Sequence, residues 1–131
     1  MKRFEDVITK EQYEELKELG LLEDLEYIYM PGLINLDIDD YEMVFKNGKL
    51  CGYVKTMISD PCELEIIKIK DADHVDCIIH ILGDGNLTLK SVDTIISKCR
   101  DAYKDVNVLY GSAIDPSLNG LIKVNSFFLS K

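Results

Sequence analysis

Residues 75–82 form a near-continuous apolar run, VDCIIHIL, in the middle of the chain. Such a run is typical of a strand that is buried on both faces. After a turn at residues 84–86 comes the clearest helical pattern in the sequence, whose apolar members are Leu89, Val92, Ile95, Ile96, Cys99 and Tyr103. Their spacing matches one face of an amphipathic helix. We therefore expect a central strand followed by a helix.

Further strands and helices flank this unit. Strands are predicted at residues 50–58, 106–114 and 121–129. The run at 63–70 alternates only in part, which leaves open a half-exposed strand or a short helix. Thr9 and Gln12 have capping-box spacing at the start of one helix, and Tyr41 and Phe45 lie on one face of another. A sheet of about four strands with helices packed on one face accommodates these elements.

Three side chains in the predicted strands carry predictions of their own. Phe127 and Phe128 are adjacent in a strand and therefore point to opposite faces of the sheet, which makes one of them a candidate for exposure. His80 lies within the apolar run and is interpreted as a structural residue rather than a catalyst.

Composition limits the classes of function. The chain has 131 residues, 47% of them hydrophobic, which suffices for one domain with its own core. Its formal net charge is -9, which disfavours nucleic acid and anionic membrane surfaces as partners because both are negatively charged. No apolar stretch approaches the roughly 20 residues that span a bilayer, and residues 1–10 lack the pattern of a secretory signal. We expect a cytoplasmic protein.

The cysteines are predicted to be reduced and to bind no metal. They are Cys51, Cys62, Cys77 and Cys99. No two of them form a CxxC pair, and His74 and His80 lack a ligand-type spacing to them. Cys77 and Cys99 lie among apolar residues, where a thiol packs as a small hydrophobic group. Reduced thiols agree with a cytoplasmic location.

An acidic segment, PGLINLDIDD, occupies residues 31–40. Asp37 is suited to cap a helix that begins at Ile38. Asp39 and Asp40 then lie in the first turn, where the helix dipole favours carboxylates. The same carboxylates can also serve a partner outside the chain, and the residue types alone leave both interpretations open.

This segment resembles the synergy loop of the FtsZ cell-division proteins, the bacterial relatives of tubulin. That loop has the pattern N-x-D-x-x-D, which Asn35, Asp37 and Asp40 match. GDGNLTL at residues 83–89 resembles the glycine-containing turn and helix start of the FtsZ C-terminal domain, and NVLYGSAIDPSLNGLIKV at 107–124 is similar to its closing strands. The resemblance covers roughly residues 21–131.

The resemblance implies both a fold and a role for the acidic residues. The fold is α+β, a two-layer sandwich with a mixed sheet. In the family, subunits stack head to tail, and the synergy loop of one enters the nucleotide pocket of the next, where its carboxylates orient the water that attacks the terminal phosphate. Asn35, Asp37 and Asp40 are thus candidates for activating GTP hydrolysis in trans. The chain itself is expected to hold no cofactor, and GTP would come from the partner subunit.

The resemblance does not extend to the GTP-binding domain of the family. Its signature, GGGTGTG, does not occur in the sequence, and Gly83 and Gly85 are an isolated pair in a turn rather than a phosphate-binding loop. We therefore expect residues 1–131 to form a single FtsZ C-terminal-like domain, with residues 1–30 as an N-terminal helical extension leading into the synergy loop. The chain alone is not expected to be an enzyme.

Three functions agree with these expectations. The favoured one is a non-enzymatic module that binds FtsZ or another tubulin-like GTPase subunit through its synergy loop and caps or modulates filaments. The second is the C-terminal half of a split FtsZ-like GTPase. The third is a structural protein that has kept only the fold and forms homo-oligomers through sheet edges or exposed apolar surface.

Overall fold

A computed structural model describes residues 3–22 and 36–131 of the chain. The helices in these ranges are α1 (Phe4–Val7), α2 (Lys10–Glu18), α3 (Ile38–Phe45) and α4 (Leu89–Arg100). The strands are β1 (Lys49–Ile58), β2 (Ile67–Lys68), β3 (His74–Gly83), β4 (Asp105–Ile114) and β5 (Ile122–Ser130). Short 3-10 helices occur at Pro61–Glu63 and Pro116–Leu118. None of the described helices is long and apolar enough to cross a bilayer.

The described strands form one mixed sheet in the order β2-β1-β5-β3-β4. β3 and β4 are parallel and are connected by α4, whereas the other neighbours are antiparallel. β3 lies between β5 and β4, which confirms the prediction of a central strand over residues 75–82. The α+β fold is also confirmed, with four long strands and a fifth of two residues.

The fifth strand is what remains of the ambiguous run at residues 63–70. Only Ile67 and Lys68 pair with β1, and Pro61–Glu63 forms a 3-10 helix instead. Ile67 and Ile69 are 49% and 45% exposed, so this edge of the sheet has little apolar burial to extend the strand.

One face of the sheet carries the larger core, which α4 covers. Val92, Ile95, Ile96 and Cys99 of the helix belong to the same buried cluster as Cys77, Ile79, Ile81 and Phe128 of the strands. Tyr103, which follows α4, donates a hydrogen bond from its phenol to the carbonyl of Cys51 at 2.7 Å. The stripe predicted from the sequence is therefore the face that packs on the sheet.

The opposite face is covered by the N-terminal helices, so the described structure has helices on both faces rather than on one. Phe45 of α3 makes edge-to-face contacts with Phe4 of α1 and Phe127 of β5, with ring centroids 5.5 and 5.6 Å apart. Phe127 and Phe128 are 3% and 0% exposed, and the prediction that one of them is exposed is wrong. A strand with large apolar side chains on both sides requires cover on both.

Long-range hydrogen bonds fix the position of α3. The Gln12 side-chain amide donates to the carbonyls of Phe45 and Gly48 at 2.8 and 2.9 Å. The Lys131 ammonium donates to the carbonyls of Val44 and Lys46 at 2.6 and 2.9 Å. The last turn of α3 is thus held by residues from both ends of the chain, and a cation at a helix C-terminus is electrostatically favourable.

Candidate functional site

The candidate site is the start of α3, where the acidic segment enters the helix. Leu36 and Tyr41, on either side of the carboxylates, are 7% and 2% exposed and belong to the core under the N-terminal helices. They anchor the segment to the sheet while Asp37 and Asp39 stay exposed. Asn35, the third predicted site residue, lies outside the described residues.

Asp37 and Asp40 form a reciprocal capping box. One carboxylate oxygen of Asp37, Oδ1, accepts hydrogen bonds from the backbone N–H groups of Asp39 and Asp40 at 2.9 and 3.1 Å. Oδ2 of Asp40 accepts from the N–H of Asp37 at 2.9 Å. The interpretation of Asp37 as an N-cap is confirmed.

The box uses one oxygen of each of the two carboxylates. Asp37 is exposed and Asp40 is half-buried, so the second oxygen of Asp37 is the group best placed to meet another molecule. Burial, with the Asp40 carboxylate as the smaller cause, raises the pKa of Tyr41 above its usual range. The Tyr41 phenol is therefore neutral, and the exposed part of the helix start is negatively charged.

The electrostatics of this helix start limit what it can bind. The N–H groups of Asp39 and Asp40 already donate to Asp37, and three carboxylates lie within four residues. The usual attraction of a helix N-terminus for phosphate is therefore opposed by fixed negative charge. The arrangement suits a water molecule or a cation rather than an anion.

The turn at residues 83–86 has a structural role. A Cβ added at Gly83 would lie 2.7 Å from the Cβ of Leu87, so that side chain fills the space over the glycine. Asp84 accepts hydrogen bonds from the backbone N–H groups of Asn86 and Gly120 and so connects the turn to the start of β5. A carboxylate and a leucine at these places do not fit a bound phosphate.

Sequence comparison shows which known proteins this chain resembles. No family model matches the sequence. The cell division protein FtsZ of Rickettsia bellii is 32% identical over 112 residues, which cover 73% of this chain and 24% of that protein. FtsZ of Wolbachia pipientis is 26% identical over 122 residues, covering 82% of this chain and 38% of the relative. The chain is a relative of FtsZ.

The similarity covers only part of each relative and includes one mitochondrial protein. The mitochondrial division protein fszB of Dictyostelium discoideum is 27% identical over 132 residues, covering 88% of this chain and 35% of that protein. The chain thus spans between about a quarter and two fifths of the length of the relatives named here.

Solved structures of FtsZ have the same fold as this chain. An empty FtsZ dimer from M. jannaschii superposes with a TM-score of 0.67 at 19% identity, over 94% of this chain and 40% of that one. A W319Y mutant of the same FtsZ gives a TM-score of 0.62 over 93% of this chain. The expected likeness to the C-terminal domain of FtsZ is confirmed at the level of the fold.

The sequence indicated the capped, acidic start of α3 but not the distant residues that hold this helix in place. Gln12 was assigned to its own capping box, which is confirmed by the bond from the Thr9 N–H at 2.9 Å, but its link to α3 was not foreseen. Lys131 gave no local signal. Both contacts join residues that are distant in sequence, so no short pattern encodes them.

Proposed function

We propose that this chain binds, through the start of α3, the nucleotide-carrying face of an FtsZ-type GTPase subunit and modulates its filaments. The observation that carries the proposal is the pair Asp37 and Asp40, which match the FtsZ loop pattern and lie together at the start of α3, Asp37 exposed and Asp40 half-buried. The relationship to division proteins of bacteria and of a mitochondrion supports a role in division.

The chemistry of the pair suits action in trans. A carboxylate oxygen outside the capping box accepts a hydrogen bond from a water molecule and orients it for attack on a phosphoryl group. The carboxylates would repel the phosphates of a bare nucleotide, so the partner's site has to supply a cation that offsets both charges. We therefore propose that this site binds the nucleotide- and cation-filled pocket of a partner subunit, not free GTP.

The consequence for a filament follows from head-to-tail assembly. A subunit extends such a filament only if it offers two different contact faces. The 131 residues contain one such face, the acidic start of α3. They do not contain the GGGTGTG signature of a nucleotide-carrying face, and the turn at Gly83–Gly85 does not fit a phosphate. Bound at a filament end, the chain would cover the terminal nucleotide and prevent addition of the next subunit.

The test is an assembly and GTPase assay with the FtsZ of the organism that encodes the chain. Stoichiometric addition of the 131-residue chain should lower the mass of sedimented polymer at constant GTP, with phosphate release measured in parallel. Unchanged polymer mass together with unchanged phosphate release at equal amounts would overturn the proposal.

Variants can separate the charge of the loop from its capping. Asn is as good an N-cap as Asp, so Asp37→Asn/Asp40→Asn removes two charges while keeping the helix start. This variant should lose the effect on polymer mass while its melting temperature falls only slightly, through the lost interaction of the two charges with the helix dipole. The matched control is Asp60→Asn/Asp115→Asn, because both residues cap 3-10 helices elsewhere and accept backbone hydrogen bonds in the same way. The control should act like the wild type.

A further inference from the structure

The outer edge of β4 is a long backbone edge that the described residues leave unpaired. β4 pairs with β3 over residues 105–114, and no described strand pairs with its other side. The opposite edge of the sheet consists of the two-residue strand β2 and of the part of β1 that β2 leaves unpaired. These strands carry Lys68 and Lys55. Short strands and lysines are devices that prevent edge pairing.

β4 lacks these devices. Its sequence, DVNVLYGSAI, has one charged residue, Asp105 at its first position, and contains no lysine or proline. Its ten residues have an unbroken parallel register with β3, so no bulge bends the edge away. A second strand can therefore add along its whole length.

Hydrogen-bond directions show which residues face outward. The N–H of Asp105 donates to the carbonyl of Asp73, and the N–H of Asp115 donates to that of Gly83, both on the β3 side. These directions alternate along a strand, so odd-numbered residues bond toward β3. The N–H and carbonyl groups of residues 106, 108, 110, 112 and 114 then point away from the sheet.

We infer that β4 pairs antiparallel with β4 of a second copy, so that two sheets join across a two-fold axis. Full overlap of the five outward-facing residues places Tyr110 opposite Tyr110, Val106 opposite Ile114 and Val108 opposite Ser112. Val106, Val108 and Tyr110 lie on the α4 face. The Val106–Ile114 and Tyr110–Tyr110 pairs therefore each bring together side chains with apolar surface. A second copy is the occupant because its β4 offers the same unprotected edge and because the opposite charges of Lys90 and Asp93 lie beside that edge, whereas the other edge of the sheet is short and carries lysines.

The surface beside this edge supports the same occupant. Leu89 at the start of α4 is 85% exposed, and Ile114 at the end of β4 is 41% exposed. Tyr110, Lys90 and Asp93 line the same shallow depression beside Leu89. In the two-fold pair the two α4 helices run antiparallel across the joint, which covers Leu89 and allows Lys90 of one copy to approach Asp93 of the other.

One feature of the register opposes association and gives it a salt dependence. Asp105 comes opposite Asp115 of the second copy at each end of the paired strands. Like charges at these positions repel, and salt screens the repulsion. Salt also screens the attraction between Lys90 and Asp93 of the two copies, so ionic strength acts on the dimer in both directions.

The test is the molar mass of the chain in solution, measured by sedimentation over a dilution series. The wild type should pass from monomer to dimer and stop there. Tyr110→Lys places two ammonium groups at the axis and should remain monomeric where the wild type is dimeric. Ile67→Lys makes the same change in charge at the opposite edge and should dimerise normally.

A mixing experiment tests the register itself. Tyr110→Lys and Tyr110→Glu should each be monomeric, and their equimolar mixture should form a heterodimer because opposite charges then meet at the axis. A wild-type chain that stays monomeric at millimolar concentration would overturn the inference, as would dimers that Ile67→Lys abolishes. Mixed variants that fail to associate, although each is folded by circular dichroism, would overturn the proposed register. The start of α3 is on the other face of the sheet, so this result is independent of the proposed function.

Discussion

Asp37 and Asp40 each accept a hydrogen bond from the backbone N–H of the other, at 3.1 and 2.9 Å respectively. The loop that resembles the FtsZ synergy loop is therefore also the structure that starts α3. The proposed function and the stability of the helix start rest on the same two carboxylates, but they depend on different properties of them. Capping requires an acceptor oxygen, whereas action on a partner's nucleotide site requires charge.

The first prediction concerns the cap. Asp37→Ala should lower the free energy of unfolding by about 1 kcal/mol, because the N–H groups of Asp39 and Asp40 lose their acceptor. Asp37→Asn should change the free energy of unfolding by only a few tenths of a kcal/mol, which is about the smallest difference that urea denaturation can resolve. Equal losses in the two variants would show that charge, and not the acceptor, holds the helix start.

The second prediction concerns His80, which is 5% exposed in the interior strand β3. Burial lowers the pKa of His80 from 6.5 to about 4. Between these values the unfolded chain binds a proton that the folded chain does not, so the free energy of unfolding falls as the pH is lowered through this window. The loss should approach about 3 kcal/mol near pH 4.

The measurement is urea denaturation at a series of pH values, compared with His80→Asn. The variant has no histidine to protonate at this position, so its stability should fall less steeply between pH 6.5 and 4. His74→Asn is the control, because the His74 side chain is 77% exposed. If the free energy of unfolding falls by the same amount in His80→Asn and in the wild type between pH 6.5 and 4, protonation of His80 is not the cause of the pH dependence.

The third prediction concerns thiol reactivity. Cys62 is exposed, whereas Cys51, Cys77 and Cys99 are all 0% exposed. Burial also raises the pKa of Cys51 and Cys77, which lowers their thiolate fraction. A thiol reagent should therefore label one cysteine rapidly in the native chain and the other three only after denaturation, as counted by mass spectrometry. Cys62→Ser should have no rapid phase.

The fourth prediction concerns the close approach of β1 to Tyr103. A Cβ at Gly52 would lie 2.5 Å from the Tyr103 hydroxyl, which donates to the Cys51 carbonyl and cannot move without losing that bond. Gly52→Ala should therefore destabilise the chain by about 1–3 kcal/mol in urea denaturation. Gly85→Ala is the control, since no atom lies within 4 Å of its added Cβ. If Gly52→Ala left the free energy of unfolding unchanged, the Tyr103 side chain would have an alternative position of equal stability.

Much of the fold could be predicted from the sequence because its determinants are local. The Thr9–Gln12 capping box spans three residues, and the apolar stripe of α4 spans about three turns. The predicted strand at 50–58 is observed as Lys49–Ile58, and that at 106–114 as Asp105–Ile114. Alternation and helical spacing are sufficient for such elements, whatever they pack against.

The layers were harder to predict because they depend on distant residues. Phe127 and Phe128 were correctly assigned to opposite faces, but nothing near them shows that α1 and α3 cover Phe127. The bond between Lys131 and Val44 joins residues 87 apart in sequence. Asp37 was predicted as a cap from its neighbours alone, whereas its action on a partner remains a prediction because it depends on a surface of another molecule.

The position of β5 has a consequence for how the chain is made. β1 and β3 do not pair with each other, and β5, the last described strand to be synthesised, lies between them. Until a ribosome has released Ile122–Ser130, the β2-β1 and β3-β4 halves have no shared backbone ladder. Nascent chains halted before this strand should therefore expose two incomplete sheets to chaperones and proteases, and native structure should form only after translation has passed it.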